Sequence, residues 1–195
     1  WSRGLGDVYK RQVGKKVGPD KELWYQRTFT VPASWKGKKV MLNFGAVDWK
    51  ADIWVNDIKV GQHTGGFTPF SLDITAALAT KGDNKLVVKV WDPTDRGPQP
   101  RGKQVNRPEG IWYTAVTGIW QTVWMEPVAE RHITNVRTTS DIDRKKLTVD
   151  VTTSTSCPSE VVEVKVFDGK QLVATGKGLN GQTSDIHTPA DAKPL

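Results

Sequence analysis

Short runs of alternating apolar and polar residues, each closed by a turn signal, constrain the fold of this chain most. Residues 23–31 alternate between two faces and end at Pro32. A period of two is typical of a β-strand and not of a helix. Similar runs predict strands at 39–44, 51–55, 58–61, 70–74, 85–91, 111–116, 119–125, 133–138, 146–153, 161–167 and 172–175. The chain is therefore predicted to be all-β, with its strands spaced as in a β-sandwich.

The segments between these strands carry recognisable turn and loop signals. Asn56-Asp57 and Asp168-Gly169 are residue pairs that favour tight hairpin turns. Residues 75–80 offer one or two helical turns at most. Residues 92–110 contain four Pro and three Gly and predict one long loop. Loops of this length are uncommon inside compact domains and often carry function.

The pattern divides the chain into three parts. Residues 1–12 have neither periodicity nor the shape of a signal peptide, and they are predicted to be a non-native or disordered tail. Residues 13–127 hold the first set of strands, and residues 128–195 hold a second, smaller set. Residues 180–195 are polar and contain two Pro, so the second domain is expected to be truncated and to lack a closing strand.

Composition excludes several classes of partner. The chain has 195 residues, 37% of them hydrophobic, and a net charge of +7. Its basic residues are dispersed, and no phosphate loop, zinc spacing or RNA-binding motif accompanies them, so no nucleic-acid partner, metal or cofactor is predicted. A single cysteine, Cys157, excludes an internal disulfide.

No apolar run approaches the roughly 20 residues of a membrane span, so no membrane partner is predicted. The chain is expected to be soluble. A signal peptide ahead of it would make it periplasmic or secreted.

The segment 107–127 concentrates three Trp and one Tyr around the turn signal Thr117-Gly118. Such a segment is either core or a platform for a flat ligand. Strand parity favours the core for Trp112 and for Trp54. Trp120 and Trp124 are four residues apart, so one sheet face or the seam between the domains is expected to bury both.

Three motifs in order resemble the N-terminal sugar-binding domain of glycoside hydrolase family 2. They are WYQRTFTVP, VDWKADIWVNDIKVGQHTGGFTPFSLDIT and TGIWQTVWMEPV. The family includes β-galactosidases, β-glucuronidases and β-mannosidases. The resemblance covers residues 21–127 and extends weakly into the strands that follow. It implies a jelly-roll, galactose-binding-like sandwich followed by an incomplete immunoglobulin-like sandwich.

In that family a (β/α)₈ barrel of about 250 residues follows these domains and holds both catalytic Glu residues. The resemblance therefore implies a carbohydrate substrate and a barrel partner in cis. It also implies that loops of the first domain border the barrel's active site, and residues 92–110 match such a loop. Arg101, Lys103, Gln104, Glu109, Trp112 and Tyr113 are the candidate substrate contacts there, with Asp48 and Trp49 as a second cluster. The competing interpretation is that these are solvated loop charges and core aromatics.

Chemical reasoning gives no catalytic residues within the chain itself. Retaining glycoside hydrolysis requires two carboxyl groups about 5 Å apart. Asp48 and Asp52, four residues apart on an extended strand, would lie about 13 Å apart. Glu109 follows a Pro in a loop, and the three His, at 63, 132 and 187, lie in separate segments and are expected at the surface or in loops.

Three functions fit these observations. The first is the non-catalytic N-terminal portion of a family 2 glycoside hydrolase, which scaffolds and borders the active site of the barrel. The alternatives are a free-standing carbohydrate-binding module and a structural pair of β-sandwiches. The first is the main prediction, because three motifs in the same order are more specific than composition.

Overall fold

β-Strands dominate the residues that this computed structural model describes, which are 17–155, 159, 161–179 and 184–187. The predicted all-β class is confirmed. The chain divides into two compact units, Trp1–Val128 and Ala129–Leu195. No helix among the described residues is long and apolar enough to cross a membrane.

The first unit is built from eleven strands and two short 3₁₀ helices in its described part. The strands are β1 Glu22–Phe29, β2 Lys39–Phe44, β3 Val47–Asp48, β4 Lys50–Val55, β5 Ile58–Thr64, β6 Phe70–Asp73, β7 Asn84–Trp91, β8 Gln104–Val105, β9 Tyr113–Thr114, β10 Gly118–Ile119 and β11 Val123–Val128. The 3₁₀ helices are Ala33–Trp35 and Thr75–Ala77. Residues 75–80 thus contain the short helical segment that was predicted.

Two antiparallel sheets enclose the core of this unit. One has the strand order β1-β7-β4-β5 and the other β11-β2-β6. Their inner faces contribute apolar residues, most of them β-branched, which fill the space between the sheets. The fully buried members are Val40, Leu42, Phe44, Ala51, Ile53, Val55, Val88 and Val90. This galactose-binding-like sandwich is the fold that the resemblance implied.

Gly61 lies where β5 approaches β6. A Cβ atom at this position would lie 2.5 Å from Cδ2 of Leu72, which is too close for any real contact. A side chain at this position would therefore force the Leu72 side chain to move where the edge strands of the two sheets meet.

The side chains of β4 alternate between the core and the outer face of the sheet. Ile53 and Val55 point into the core, whereas Asp52 and Trp54 lie on the opposite face. The prediction that Trp54 belongs to the core was therefore wrong. Its half-buried ring stacks on Trp24, with 5.9 Å between ring centroids. Trp54 alternates with the core residues Ile53 and Val55 along β4, which places it on the opposite face.

The aromatic segment is less regular than its β-branched sequence predicted. Only Tyr113–Thr114 of the predicted strand 111–116 is a strand, and it pairs in parallel with Gln104–Val105 of the long loop. The predicted strand 119–125 is divided into β10 and β11. Gly110 and Gly118 have φ of +58° and +118°, so the backbone turns at both positions instead of extending.

The tryptophans of this segment are more exposed than the alternation of residues along a strand predicted. Trp112 is 41% exposed and Trp124 is 43% exposed, which corrects their placement in the interior. Trp120 is half-buried, and its indole Nε1 donates to the carbonyl of Gly66 at 2.7 Å. Because residues 120–122 interrupt the strand, Trp120 and Trp124 are not on one continuous sheet face. Both instead line an open groove with Phe67 and Pro69.

The second unit contains two further antiparallel sheets in its described part. Its strands are β12 Ile133–Asp141, β13 Lys146–Thr153, β14 Val161–Asp168, β15 Gln171–Leu179 and β16 Ser184–His187, in the orders β12-β13-β16 and β14-β15. Val149, Val151 and Ile186 form its buried core with Val162, Val164 and Val166 packed against them. The polar composition of residues 180–195 did not predict β16. Its pairing with β13 and the burial of one residue, Ile186, hold it in place.

The hairpin turns are confirmed where the sequence placed them. Asn56 and Asp57 have φ of +49° and +66°, as a type I′ turn requires. Gly169 has φ of +56° in the turn between β14 and β15. The predicted tail, residues 1–12, and Cys157 lie outside the described residues.

Candidate functional site

The end of β3, the start of β4 and the end of β7 meet at one edge of the first unit. Lys50 pairs with Trp91 in the sheet, so the residues just before Lys50 and just after Trp91 lie side by side. Asp92 directly follows Trp91, and Asp48, the last residue of β3, lies two residues before Lys50. The long loop returns here at Gln104, the first residue of β8. A narrow crevice results, lined by Asp48, Asp92, Thr94, Gln99, Pro100, Arg101 and Gln104.

Asp92 fixes the start of the long loop. Its Oδ1 accepts the Thr94 backbone N–H at 2.7 Å, an arrangement in which an Asp side chain caps its own turn. Its Oδ2 accepts the hydroxyl of Thr117 at 2.9 Å. Thr94 has φ of +57°, and its carbonyl accepts the Gln99 side-chain amide at 2.7 Å. The loop therefore leaves β7 in one defined direction.

Asp48 has an unusual electrostatic environment. Only 8% of Asp48 and 4% of Asp92 is exposed to solvent. Burial, followed by the negative charge of Asp92, raises the pKa of Asp48 to about 7, against the opposing effect of a hydrogen bond with the Gln104 side chain. The neutral form of Asp48 can donate a proton to a hydrogen bond, which an ordinary carboxylate cannot.

Gln104 joins the long loop to the aromatic segment. Its Oε1 accepts the Val116 backbone N–H at 2.5 Å while the same side chain contacts Asp48. One residue earlier, the Lys103 carbonyl accepts the Tyr113 N–H at 2.8 Å. These contacts hold residues 103–105 against residues 113–116.

Two cations of the loop lie over aromatic rings. The Arg101 guanidinium carbon is 5.8 Å from the Trp112 ring centroid, and the Lys103 Nζ is 5.7 Å from that of Tyr113. Both rings remain exposed, Trp112 by 41% and Tyr113 by 63%. Cation–π contacts of this kind orient flexible side chains without removing them from solvent. A basic and aromatic surface therefore borders the mouth of the crevice.

Asp95 and Asn106 close the base of the loop. Asp95 Oδ2 accepts the Asn106 backbone N–H at 3.0 Å, and its Oδ1 accepts the Asn106 side-chain amide. These hydrogen bonds, the backbone one foremost, lower the pKa of Asp95. Arg101 also donates to the Asp95 carbonyl at 3.3 Å. The loop is thus cross-linked within itself, which is how a long loop holds functional side chains in place.

The structure brings together some of the predicted site residues and separates others. Asp48, Gln104 and Arg101 share the crevice, and Lys103, Trp112 and Tyr113 lie at its border. Trp49 is half-buried beside Asp48, and its carbonyl accepts the Gly65 N–H at 3.1 Å. Glu109 is exposed, and its carbonyl accepts the Trp112 N–H at 3.1 Å.

Sequence reasoning missed Asp92, Thr94 and Gln99. The signal for the first two was the string Asp-Pro-Thr directly after an apolar strand, which favours an Asp-capped turn. The closeness of Asp92 to Asp48 depends on the register of β4 and β7, which the sequence does not display.

Asp52 lies apart from this site on the outer face of its sheet. It forms ion pairs with Lys59 at 2.6 Å and with Lys89 at 3.3 Å, and the hydrogen bond from Lys59 is the main cause of its lowered pKa. Asp48 and Asp52 thus occupy different environments.

His63 was expected at the surface or in a loop. It lies instead in β5, half-buried and stacked on Phe70 with 4.2 Å between ring centroids. His132 is in the second unit, where its Nδ1 lies 2.8 Å from the Ala129 carbonyl oxygen.

The border of the crevice supplies positive charge and aromatic faces, whereas the crevice itself has no room for a water molecule. This combination suits a polyhydroxylated ligand that carries an acidic group. Among the described residues there is no cluster of three or more His, Cys, Asp or Glu placed to bind a metal ion.

Comparison with known proteins identifies relatives over most of the chain. The family model described as "Glycosyl hydrolase 2 galactose-binding domain-like" matches residues 5–139. A β-glucuronidase from Paenibacillus borealis is 30% identical over an alignment of 188 positions, which covers 89% of this chain and 31% of that protein. A β-galactosidase from Thermoanaerobacter pseudethanolicus is 34% identical over 114 residues, 58% of this chain and 14% of that protein. The chain therefore spans less than a third of the length of these two relatives.

Solved structures show the same fold. The β-glucuronidase from Ruminococcus gnavus in complex with D-glucaro 1,5-lactone matches with a TM-score of 0.65 and 23% identity. The match covers 86% of this chain and 30% of that one. At this identity the likeness concerns the fold alone.

Proposed function

Since the chain belongs to the galactose-binding-like domain family of glycoside hydrolase family 2, we propose that its crevice and long loop border the active site of a glycosidase. The chain corresponds to the non-catalytic N-terminal part of such enzymes. Hydrolysis would be carried out by a barrel domain that supplies both catalytic carboxyl groups. The role of this chain is to bind and orient the substrate.

One observation carries this proposal. A side chain from the sheet edge, Asp48, contacts a side chain from the long loop, Gln104, inside a buried crevice. Half-buried Arg101 and exposed Trp112 lie beside it in a cation–π contact. Buried polar groups that hold a loop, together with exposed groups that can bind, are the usual composition of a site supported by a rigid scaffold.

The charge of the border favours a substrate class. Arg101 and Lys103 are both cationic, and both are held over aromatic rings that face solvent. A guanidinium binds a carboxylate with two parallel hydrogen bonds, whereas a neutral sugar offers no matching charge. We therefore propose β-glucuronides over β-galactosides as substrates. Relatives of both names occur, and the Paenibacillus borealis protein is named a β-glucuronidase.

The test uses the full-length enzyme that contains this chain. Its kcat/KM is measured with nitrophenyl β-glucuronide and nitrophenyl β-galactoside, in the parent and in Arg101→Ala and Trp112→Ala variants. We expect the parent to prefer the glucuronide. Both variants should lose roughly 10-fold or more in kcat/KM for it, since each removes a contact worth about 1.4 kcal/mol or more.

Two controls make the result specific. Arg96→Ala removes an exposed arginine of the same loop that pairs with Asp20 at 3.3 Å, and it should leave kcat/KM unchanged. The thermal midpoint of each variant reports whether the domain remains folded. Unchanged kinetics in Arg101→Ala and Trp112→Ala would show that this border does not contact the substrate.

A further inference from the structure

A second aromatic surface lies away from the crevice, on the outer face of the sheet β1-β7-β4-β5. We call it the outer patch, and it consists of Glu22, Trp24, Asp52, Trp54, Lys59 and Lys89. Trp24 and Trp54 come from strands on either side of β7, and their rings stack at 5.9 Å between centroids with 20° between planes. Trp24 remains 58% exposed. A stacked pair of indoles that faces solvent contributes nothing to the core on the opposite face of the sheet.

The charges around these rings compensate one another. Lys59 pairs with Asp52 at 2.6 Å, and Lys89 lies 3.3 Å from both Asp52 and Glu22. The same two ammonium groups lie 5.8 Å from the centroids of the Trp54 and Trp24 rings. The patch therefore combines an aromatic platform with fixed hydrogen-bonding groups and little net charge.

We propose that the outer patch is a binding site for an uncharged oligosaccharide, separate from the crevice. The C–H groups on one face of a pyranose ring carry partial positive charge and complement the negative face of an indole. The hydroxyl groups around the ring edge can hydrogen-bond to Glu22 and the two lysines, and bonds to charged groups are the stronger ones. Because the charges are already paired, the patch has no excess charge with which to select an ionic ligand.

Other occupants fit the patch less well. Single-stranded nucleic acid also stacks on aromatic rings, but it requires a groove of uncompensated positive charge. The core of an interface with a second protein copy is depleted of charged residues. Here Asp52, only 7% exposed, lies between two lysines within the patch. A neutral glycan is the partner that uses both the rings and the paired charges.

The experiment is isothermal titration calorimetry on the 195-residue chain. The probes are neutral hexasaccharides of β-linked glucose, xylose and mannose, together with hexagalacturonate and oligothymidylate. We expect at least one neutral hexasaccharide to bind with a measurable Kd. Trp24→Ala should weaken that binding at least tenfold, and Trp24→Phe, which keeps an aromatic face, should weaken it less.

A matched control separates this site from the crevice. Trp112→Ala removes the exposed indole at the border of the crevice and should leave the affinity for the hexasaccharide unchanged. The proposal for the outer patch and the proposed function can therefore fail independently. Trp24 is largely exposed, so all variants should keep the thermal midpoint of the parent. The proposal is overturned if no neutral hexasaccharide binds at millimolar concentration, or if Trp24→Ala binds as tightly as the parent. Tighter binding of oligothymidylate, or a dimer that Trp24→Ala abolishes, would also overturn it.

Discussion

Asp48 and Asp52 have the same side chain and lie four residues apart, yet their surroundings act in opposite directions. Asp48 is buried beside Asp92, which disfavours its charged form. Asp52 lies between two lysines, which favour its charged form. The difference arises because Asp48 precedes β4 at the sheet edge, whereas Asp52 lies within β4 on its outer face. A side chain's neighbours, and not its type, decide how it titrates.

This contrast predicts a pH-dependent stability change for Asp48→Asn. The folded chain keeps the Asp48 proton up to about pH 7, whereas the unfolded chain releases it near pH 4. The parent's free energy of unfolding therefore falls as pH rises from about 4 to 7. Asn cannot ionise, so Asp48→Asn should be more stable than the parent by roughly 2–4 kcal/mol at pH 8 and similar to it at pH 4. Urea denaturation at both pH values measures this.

Asp52→Asn is the control with the opposite sign. The pKa of Asp52 is lowered in the folded chain, so its contribution to stability is present above the unfolded-state pKa and is lost as pH falls. Replacing it should destabilise the chain at pH 8 and have less effect at pH 3. If both variants changed stability in the same direction, the assigned environments would be incorrect.

Gly118 is a second residue whose neighbours dictate its identity. It has φ of +118°, and a Cβ atom there would overlap the Tyr25 hydroxyl oxygen and lie 2.9 Å from Cδ2 of Leu23. Gly118→Ala should therefore lower the free energy of unfolding by more than about 2 kcal/mol. Gly82→Ala is the matched control. Gly82 has φ of +83° with no atom within 4 Å, so only backbone strain, about 1 kcal/mol, should be lost.

At the scale of elements, a turn residue of the hairpin between β4 and β5 also forms hydrogen bonds to neighbouring segments. The Asn56 side-chain amide donates to the Ala77 carbonyl at 2.9 Å and to Asn84 Oδ1 at 2.7 Å. Its Oδ1 accepts the Lys85 N–H at 2.9 Å. Asn84 is itself buried. One turn residue thus ties the hairpin to the neighbouring strand and to the 3₁₀ helix Thr75–Ala77.

The two turn positions should therefore respond differently to substitution. Asn56→Ala removes three hydrogen bonds and places Ala at φ of +49°, so we expect a loss of about 2–4 kcal/mol. Asp57→Gly relieves the strain at φ of +66° and loses only an exposed ion pair with Lys85, so it should stay within about 0.5 kcal/mol of the parent. Thermal and urea unfolding measure the stability of both variants. Equal losses of stability in the two variants would contradict the expected difference.

Strands with an apolar run that fills the core could be predicted from the sequence, but the two-residue strands and β16 could not. β2, β4 and β7 lie at or within one residue of their predicted positions, because their apolar runs fill a core. β8 and β9 have only two residues each and exist because the long loop folds back onto the aromatic segment. β16 depends on pairing with β13. Local pattern carries no information about such pairings, since the partners are far apart in the chain.

The candidate site was predicted in part for the same reason. The loop, Asp48 and Gln104 were identified, but Asp92 was not, and Trp112 was placed in the core. Apolar character alone cannot distinguish a buried indole from one that faces solvent at a functional surface.

At the scale of the whole molecule, each unit has its own core. The first is built on Phe44, Ile53 and Val90, and the second on Val149, Val151 and Ile186. A chain of residues 17–128 should therefore unfold cooperatively when expressed alone, with a thermal midpoint that matches one transition of the full chain. Calorimetry tests this. A gradual, non-cooperative melt of this shorter chain would mean that the first core is insufficient.

The contact between Gly118 and Tyr25 has a consequence for the history of the family as well as for this molecule. The Tyr25 hydroxyl accepts the Ile119 N–H at 3.2 Å and occupies the space that a side chain at position 118 would need. A relative that keeps the tyrosine can therefore not replace the glycine without losing stability. The two positions, distant in sequence, should change together when related sequences are aligned. A larger residue at 118 should occur only where the tyrosine has been replaced by something shorter and the backbone at 118 no longer has φ of +118°.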